Sequence, residues 1–205
     1  MSSSSTGLPL SSHEENDDGS KPLEPDEKAG LIPSWLTFRH ELNEIEQTNI
    51  AKGLVWAMRL TKRRELLDDV FMLELHRRMF GEVWTWAGTF RSTERNLGIA
   101  PWQISTSVRS LVDDARTWIA AGAYDVDEIA VRFHHRLASI HPFANGNGRH
   151  SRLMADLLVR RLGRPMFSWG GKRLVSASED RQHYIKALQL ADRGDCASLL
   201  EFARS

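Results

Sequence analysis

Residues 141–152, with the sequence HPFANGNGRHSR, combine a histidine, a glycine-rich turn and two arginines in one short stretch. Gly146, Asn147 and Gly148 precede a helix that is predicted to start near Arg149. Such a turn directs several backbone N–H groups towards one point, and the helix dipole adds roughly half a positive charge there. The Asn147 side-chain amide can donate to the same anion. We therefore expect this turn to bind phosphate oxygens.

The charged and titratable residues of this stretch extend the same interpretation. Arg149 and Arg152 lie three positions apart on the predicted helix, so both can reach one polyphosphate. His141 titrates near neutral pH and can accept a proton from a hydroxyl group that attacks the bound phosphate. Each feature alone has a common structural explanation, as a connection, a helix cap or solvated charge. Their occurrence together favours group transfer from a bound nucleotide.

Two other kinds of site are weaker alternatives. Zinc ligation would use His134, His135, His141 and His150, but neighbouring residues on a helix point about 100° apart, and cysteine or acidic ligands are missing. Nucleic-acid binding would use the basic clusters at 62–64 and 160–164. These clusters lack interleaved aromatic residues, and solvated surface is the better interpretation. The tryptophans are expected to pack in the core or anchor a hairpin rather than stack on bases; they include Trp84, Trp86 and Trp118.

Composition predicts an ordinary globular protein. The 205 residues contain 27 basic and 27 acidic side chains, so no overall field attracts nucleic acid or a membrane surface. Cys196 has no partner for an internal disulfide, and no apolar stretch approaches the roughly 20 residues that span a bilayer. The first residues lack the pattern of a signal peptide. We expect a cytoplasmic protein without membrane or nucleic-acid partners.

The elements around this stretch are predicted to be helical. Residues 1–28 are rich in Ser, Asp, Glu, Pro and Gly and are expected to form a disordered tail, followed by one domain over 29–205. Helical periodicity appears in six segments: 41–60, 69–88, 105–122, 127–140, 149–163 and 179–202. The last segment is predicted to break into two helices at 193–195. Pro142 limits the fourth helix and places His141 at its exit. The predicted fold is an all-α bundle with one small β-hairpin.

Details of these elements can be compared with the structure. The first helix should bury one face, formed by Leu42, Ile45, Ile50, Leu54 and Met58, with Ser34 or Thr37 as its cap. Residues 89–100 are predicted to be extended, and residues 170–177 show a weaker extended pattern.

The stretch at 141–152 resembles the signature of the Fic domain, which runs His-Pro-Phe-x-acid-Gly-Asn-Gly-Arg-x-x-Arg. Three further segments are similar to that family: residues 133–143 before the signature, 78–91 before the family's flap, and 184–202 in its closing helices. The resemblance covers about residues 70–204. The whole chain is most similar to the bacterial Fic/Doc subgroup called mobile mystery protein B.

This resemblance implies an all-α Fic fold and an adenylyltransferase, which transfers AMP from ATP to a Ser, Thr or Tyr hydroxyl of a target protein, with Mg²⁺ on the phosphates. His141 would be the general base. The nucleotide would be held by Gly146, Asn147, Gly148, Arg149 and Arg152. A flap would pair with the backbone of the target protein through the segment Ser92, Thr93, Glu94, Arg95 and Asn96.

Two positions qualify what the family pattern implies. Asn145 stands where the family has an acidic Mg²⁺ ligand, so metal would be held mainly by the nucleotide's phosphates. The alternative is a nucleotide-binding Fic-like protein with weak, altered or no transferase activity, which acts as a regulator or a toxin–antitoxin type partner. The segment around Glu46 resembles the helix with which family members restrain themselves, and it nominates Glu46 as the partner of Arg152. A solvated Glu46 is the competing interpretation. The chain could also form a homo-oligomer.

Overall fold

The computed structural model describes residues 30–60, 64–171 and 177–205, with the side chains of residues 177 and 178 left aside. Within these ranges the chain is helical and divides into two compact units. The first unit ends at residue 166, and the second begins at residue 167. The first contains α1 to α5, which are Arg39–Leu60, Asp69–Phe80, Ile104–Ala121, Val126–Ile140 and Asn147–Arg161. The second contains α6 and α7, which are Ala177–Ala191 and Ala197–Arg204. The all-α prediction is confirmed.

The helices of the first unit form where the sequence pattern predicted them. Helix α3 ends at Gly122, whose φ of 57° gives the left-handed cap that glycine accommodates readily. Helix α2 ends at Phe80 and is shorter than the predicted segment 69–88. Its C-cap Gly81 still donates its N–H to the Arg77 carbonyl over 2.7 Å, and the residues that follow form turns. Helix α5 packs along α4, and α1 packs along α2. This arrangement places the start of α5 beside both α1 and α2.

The buried face of α1 differs from the predicted one. Only Leu42 of the five predicted apolar residues is buried, and the rest of the buried face consists of Glu46, Asn49, Gly53 and Ala57. A Cβ atom at Gly53 would lie 2.9 Å from the Met79 Cγ atom, so the missing side chain allows α1 to approach α2 closely. Hydrophobic periodicity therefore predicted the helix but not its orientation.

The start of α1 is also stabilised differently from the prediction. Neither Ser34 nor Thr37 caps it with a side-chain oxygen in the observed bonds. Instead the Glu41 carboxylate reaches back and accepts the backbone N–H groups of Thr37 and Phe38 over 2.9 and 3.0 Å. A carboxylate in the first turn also interacts favourably with the helix dipole.

The predicted β-hairpin is not formed, since residues 89–100 contain no strand in the structure. The hydrogen bonds of this segment go elsewhere: the N–H groups of Arg91 and Ile99 donate to the Pro142 and Ile140 carbonyls over 2.9 and 3.4 Å. The segment is thus an irregular loop that lies alongside the C-terminal end of α4 and is hydrogen-bonded to it. An isolated β-bridge joins Leu31 to Trp84.

In the second unit, two helices flank a turn at 192–196, as predicted from the RGD sequence. The Ala197 N–H donates to the Asp195 carboxylate over 2.9 Å at the start of α7. The extended pattern at 170–177 and the predicted tail at 1–28 fall largely or wholly outside the described residues. None of the helices in the described ranges combines the length and apolar composition that crossing a membrane requires.

Candidate functional site

His141 lies at the exit of α4, where the sequence placed it, in a backbone conformation rare for a residue with a side chain. Its φ is 53°, in the left-handed region, and its N–H donates to the Leu137 carbonyl over 3.2 Å. Such a conformation costs free energy and persists only where neighbouring contacts enforce it. The contacts that do so here come from the loop at 89–100.

Arg91 clamps that loop to the backbone of His141. The Arg91 Nε atom donates to the His141 carbonyl over 2.7 Å, Nη1 donates to the Thr93 carbonyl over 3.0 Å, and Nη2 donates to the Ile99 carbonyl. The side chain is buried, and the dipoles of the three carbonyl groups stabilise its positive charge. The sequence interpretation did not name this residue as part of the site. In the sequence Arg91 is a single basic residue before a run of polar residues, and this pattern gives little indication of a role in the site.

The five predicted flap residues, 92–96, are all exposed and follow directly from Arg91. Further along the loop, a Cβ atom at Gly98 would lie only 2.5 Å from the Cβ of His141. The loop therefore contacts the histidine at one end and presents its polar residues to solvent. The structure places the predicted flap beside the predicted base.

The His141 imidazole is neutral at neutral pH. Burial, followed by the positive charges of Arg91 and Arg95, lowers its pKa from 6.5 to about 4, while a hydrogen bond with the Ala138 backbone acts in the opposite direction. A neutral imidazole retains a nitrogen lone pair that accepts a proton. His141 thus has the protonation state that a general base needs.

The turn between His141 and α5 is closed by Asn147, whose observed role differs from the predicted one. Its Oδ1 atom accepts the Phe143 N–H over 2.8 Å, and its Nδ2 atom donates to the Phe143 carbonyl over 2.9 Å. The side chain is buried, so it shapes the turn from inside rather than pointing towards a ligand. A two-point link of this kind holds the backbone of the loop in one conformation.

Position 146 requires a glycine, both for its backbone conformation and for the space around it. Its φ is 76°, and an added Cβ would lie 2.5 Å from the Phe80 ring. Its N–H donates to the Asn145 Oδ1 atom over 2.6 Å, so this amide is already used within the chain. The Gly146 N–H is therefore not available to an anion. The backbone N–H groups from Asn147 to Arg149, in the first turn of α5, have no acceptor within the helix and can still bind one.

Gly148 faces open space, unlike Gly146. An added Cβ there would meet no atom within 4 Å, so packing within the protein does not demand glycine at this position. A glycine on the open side of a helix N-terminus allows a ligand to approach the amide groups closely. This arrangement fits the predicted phosphate site.

Arg149 binds Glu46, which was predicted to bind Arg152. The Arg149 Nη1 atom lies 2.6 Å from the Glu46 Oε2 atom, and the Trp84 indole N–H donates to Oε1 over 2.6 Å. Glu46 is 4% exposed, so the interpretation as a solvated charge is wrong. The hydrogen bond from Trp84 orients the Glu46 carboxylate towards Arg149, which lies one helical turn before Arg152. Trp84 was expected to pack in the core or to anchor a hairpin.

Arg152 and the buried His150 lie on α5, and the buried His134 lies on the neighbouring α4. The Arg152 Nε atom donates to the Gly148 carbonyl over 3.3 Å, so the side chain lies along the first turn of α5. Burial, followed by the positive charge of Arg152, lowers the pKa of His134 from 6.5 to about 3. His150 is buried and its Nε2 atom lies 3.0 Å from the Met72 carbonyl in α2.

His76 on α2 also reaches the turn, although the sequence interpretation did not name it. Its Nε2 atom lies 3.1 Å from the Asn145 carbonyl, and its Nδ1 atom accepts the Gly88 N–H over 3.0 Å. Its ring stacks on Phe143 at a centroid distance of 3.7 Å. A lone histidine within an amphipathic helix carries no sequence signal for such a link.

The side chains present do not fit a Mg²⁺ ion held by the protein. Asn145 supplies one neutral carbonyl oxygen, and that oxygen already accepts the Gly146 N–H. In the described part of the chain, no group of three His, Cys, Asp or Glu side chains could hold a metal ion. Mg²⁺ prefers anionic oxygens, so the protein offers no dedicated ligand set here.

The geometry described above lies within residues 66–159, apart from Glu46, and these residues match the model of the Fic/DOC family. The chain contains a Fic/DOC domain. In this Fic/DOC domain the signature loop joins α4 to α5, and the contact from Glu46 comes from α1, outside the matched segment.

Relatives of this Fic/DOC domain include named enzymes. The protein adenylyltransferase fic-1 of Caenorhabditis briggsae is 28% identical over 183 residues, which are 85% of this chain and 34% of that protein. The protein adenylyltransferase Fic of Drosophila grimshawi is 30% identical over 166 residues, which are 79% and 32% of the two proteins. The structure of Fic-1 from C. elegans aligns with a TM-score of 0.61 at 26% identity, covering 87% of this chain and 51% of that one. This chain spans about a third of the length of the curated relatives it matches.

Proposed function

We propose that this protein is an adenylyltransferase that transfers AMP from ATP to a hydroxyl group of a target protein. The observation that carries the proposal is the neutral His141, held by Arg91 beside the open N-terminus of α5. The relatives named adenylyltransferases support the same reaction.

In the proposed reaction the triphosphate lies against the first turn of α5. The amides from Asn147 to Arg149 and the guanidinium groups of Arg149 and Arg152 bind its oxygens. His141 accepts the proton of a Ser, Thr or Tyr hydroxyl. The hydroxyl oxygen forms a bond to the α-phosphorus, and the bond from that phosphorus to the bridging oxygen of the β-phosphate breaks, releasing pyrophosphate.

The acceptor hydroxyl would be delivered by the loop that contacts His141. The exposed residues at 92–96 offer backbone groups to an extended segment of a target protein, in the manner of an added strand. Within this segment the Thr93 carbonyl is bound by Arg91, so pairing would use the other backbone groups of residues 92–96. Mg²⁺ would accompany the nucleotide through the phosphates, since Asn145 supplies no charge.

The Glu46–Arg149 ion pair supports self-restraint of this activity. While Arg149 binds Glu46, its guanidinium is engaged by a protein carboxylate rather than by phosphate oxygens. A bound triphosphate must compete with a buried carboxylate that Trp84 also holds. We propose that α1 restrains the site through the first signature arginine.

A second candidate function is nucleotide binding without transfer, as a regulator or a toxin–antitoxin type partner. The observation in its favour is Asn145, which is neutral and bonded within its own loop. We also propose that the protein belongs to the bacterial mobile mystery protein B subgroup, is located in the cytoplasm and forms a homo-oligomer.

Two radiolabels separate these functions. Purified protein is incubated with cell lysate and either α-³²P-labelled or γ-³²P-labelled ATP, and protein labelling is compared between the wild type and His141→Ala. AMP transfer labels protein from the α-position only, adds the mass of AMP and is lost in His141→Ala. Labelling from the γ-position would contradict the proposal, because it reports phosphoryl transfer. Nucleotide binding without any label would favour the second candidate.

A further inference from the structure

We propose that His76 is a positioning residue for the nucleotide site, linking the turn at Gly88 to the Asn145 carbonyl and so fixing the loop before α5. The inference rests on the proposed nucleotide-binding function of that loop. It adds a residue on α2, outside the signature sequence, to the parts that determine how well the site binds.

The two hydrogen bonds of His76 determine its tautomer. The Gly88 N–H can only donate, so Nδ1 must be the unprotonated nitrogen, and the two atoms are 3.0 Å apart. The proton therefore lies on Nε2, which donates to the Asn145 carbonyl over 3.1 Å. A protonated imidazolium could not accept from Gly88. Burial, followed by the neighbouring His150 and the positive charge of Arg149, lowers the pKa of His76 well below 6.5 and keeps the ring neutral.

The link connects two segments that converge on the site. Asn145 directly precedes Gly146, whose N–H is held by the Asn145 side chain over 2.6 Å. Gly88 begins the segment that leads to Arg91, the residue that clamps the backbone of His141. One side chain thus spans the start of the flap loop and the loop before the helix N-terminus.

The position of His76 is itself restricted, which a positioning role requires. The ring is fully buried and stacks on Phe143 with an interplanar angle of 14°. Phe143 is in turn bound through its backbone N–H and carbonyl to Asn147, the first residue of α5. The imidazole therefore supports the loop through its edge and its face.

Two amide substitutions separate the hydrogen bonds. A glutamine amide nitrogen takes the place of a histidine Nε2, so His76→Gln keeps the donor to Asn145 and loses the acceptor for Gly88. An asparagine oxygen takes the place of Nδ1, so His76→Asn does the reverse. Both variants lose the ring that stacks on Phe143. The difference between them therefore compares the bond to Asn145 directly with the bond to Gly88.

His150→Gln is the matched control. His150 is also fully buried and lies 5.6 Å from His76 between ring centroids, but its Nε2 atom is bonded to the Met72 carbonyl within a helix rather than to the loop. It tests whether loss of any buried histidine weakens the site.

The first measurement is ADP binding to the full chain by calorimetry, alongside thermal unfolding. We expect His76→Asn to weaken binding about tenfold, the effect of losing one hydrogen bond, and His76→Gln to stay within about threefold of wild type. His150→Gln should lower the unfolding temperature and leave ADP affinity unchanged. Equal losses in all three variants, or weaker binding by His76→Gln than by His76→Asn, would overturn the proposal.

The second measurement needs no ligand and keeps the inference separate from the proposed function. Amide hydrogen exchange at residues 146–148 is expected to accelerate in His76→Asn and not in His76→Gln, and imidazole ¹⁵N shifts of the wild type should report a protonated Nε2. Unchanged exchange in His76→Asn overturns the inference. If the wild type binds no ADP while these expectations hold, the proposed function fails and the positioning role stands.

Discussion

The Arg149 guanidinium lies 2.6 Å from the Glu46 carboxylate, and this ion pair joins α1 to the first turn of α5. The pair is asymmetric in exposure, since the side chain of Arg149 is 35% exposed and that of Glu46 is 5% exposed. A ligand can therefore reach the cation more easily than the anion. Arg149 also lies over the Phe80 ring at 4.9 Å, the same ring that excludes a side chain at Gly146.

Removal of the Glu46 charge should increase AMP transfer. Glu46→Gln keeps an oxygen for the Trp84 indole but cannot hold Arg149 as an ion pair, so Arg149 becomes available to phosphate oxygens. A charge-assisted hydrogen bond contributes about 1.5 to 3 kcal/mol, and we expect labelling by α-³²P ATP to increase tenfold or more. The control is Glu44→Gln, an exposed position on the same helix. Unchanged labelling in Glu46→Gln would mean that the pair stabilises the fold without restraining the site.

Sequence alone predicted the helices, the position of His141 at the exit of α4 and the turn before α5, because these depend on local patterns. Pro142 fixes the exit of α4, and the glycines around Asn147 fix the turn before α5. The partner of Glu46 depends on how α1 is rotated on α2, which Gly53 decides through a contact between distant segments. No periodicity in α1 contains that information.

The flap loop shows the same limit. Its composition is typical of an extended segment, yet the carbonyls of Thr93 and Ile99 are bound by Arg91 instead of by a neighbouring strand. Asn147 was assigned to the ligand because an amide beside glycines can bind an anion, but the nearby Phe143 backbone takes both ends of that amide. In both cases a side chain satisfies backbone groups, and residue type does not reveal this choice.

Alanine at the two glycines of the signature should have opposite effects. Gly148→Ala places a methyl group in open space at a helical position, where alanine is favoured over glycine by up to about 1 kcal/mol, so stability should hold or rise. The same methyl group lies where phosphate must approach, so ADP affinity should fall about tenfold. Gly146→Ala should lose about 2 kcal/mol or more of stability from its left-handed backbone and its contact with Phe80. Chemical denaturation and calorimetry measure both quantities, and full ADP affinity in Gly148→Ala would argue against this face as the phosphate site.

The pH dependence of AMP transfer should differ between the free and the ATP-bound enzyme. The pKa of His141 is lowered to about 4 in the free protein, so the acidic limb of kcat/KM should fall near pH 4. Bound triphosphate adds negative charge close to the imidazole, which raises its pKa, and the acidic limb of kcat should therefore lie at higher pH. Initial rates from pH 4 to 8 at low and saturating ATP test this. Coincident limbs would show that the nucleotide's charge does not reach His141.

Loss of the Arg91 clamp should release the loop around His141. Arg91→Met removes the donors to three backbone carbonyls, and we expect a loss of about 3 kcal/mol in unfolding free energy. Trypsin cleavage after Arg95 in the folded protein should become faster. Arg109→Met serves as a control, because Arg109 is exposed and its distance of 3.4 Å to Asp69 indicates a weak ion pair. Equal cleavage rates in wild type and Arg91→Met would contradict the clamp.

Acid should destabilise this protein through its buried histidines. Burial lowers the pKa of His134 to about 3 and that of His150 to about 4, whereas both titrate near 6.5 when unfolded. The unfolded state therefore binds more protons below pH 6.5, so stability is full above that pH and falls as pH drops towards the folded pKa values. Each such histidine contributes a slope of about 1.4 kcal/mol per pH unit in this window. Urea denaturation between pH 7 and 4.5 should show a slope smaller by that amount in His150→Gln, which keeps a donor for the Met72 carbonyl but cannot titrate; an unchanged slope would mean that His150 is already protonated in the folded state.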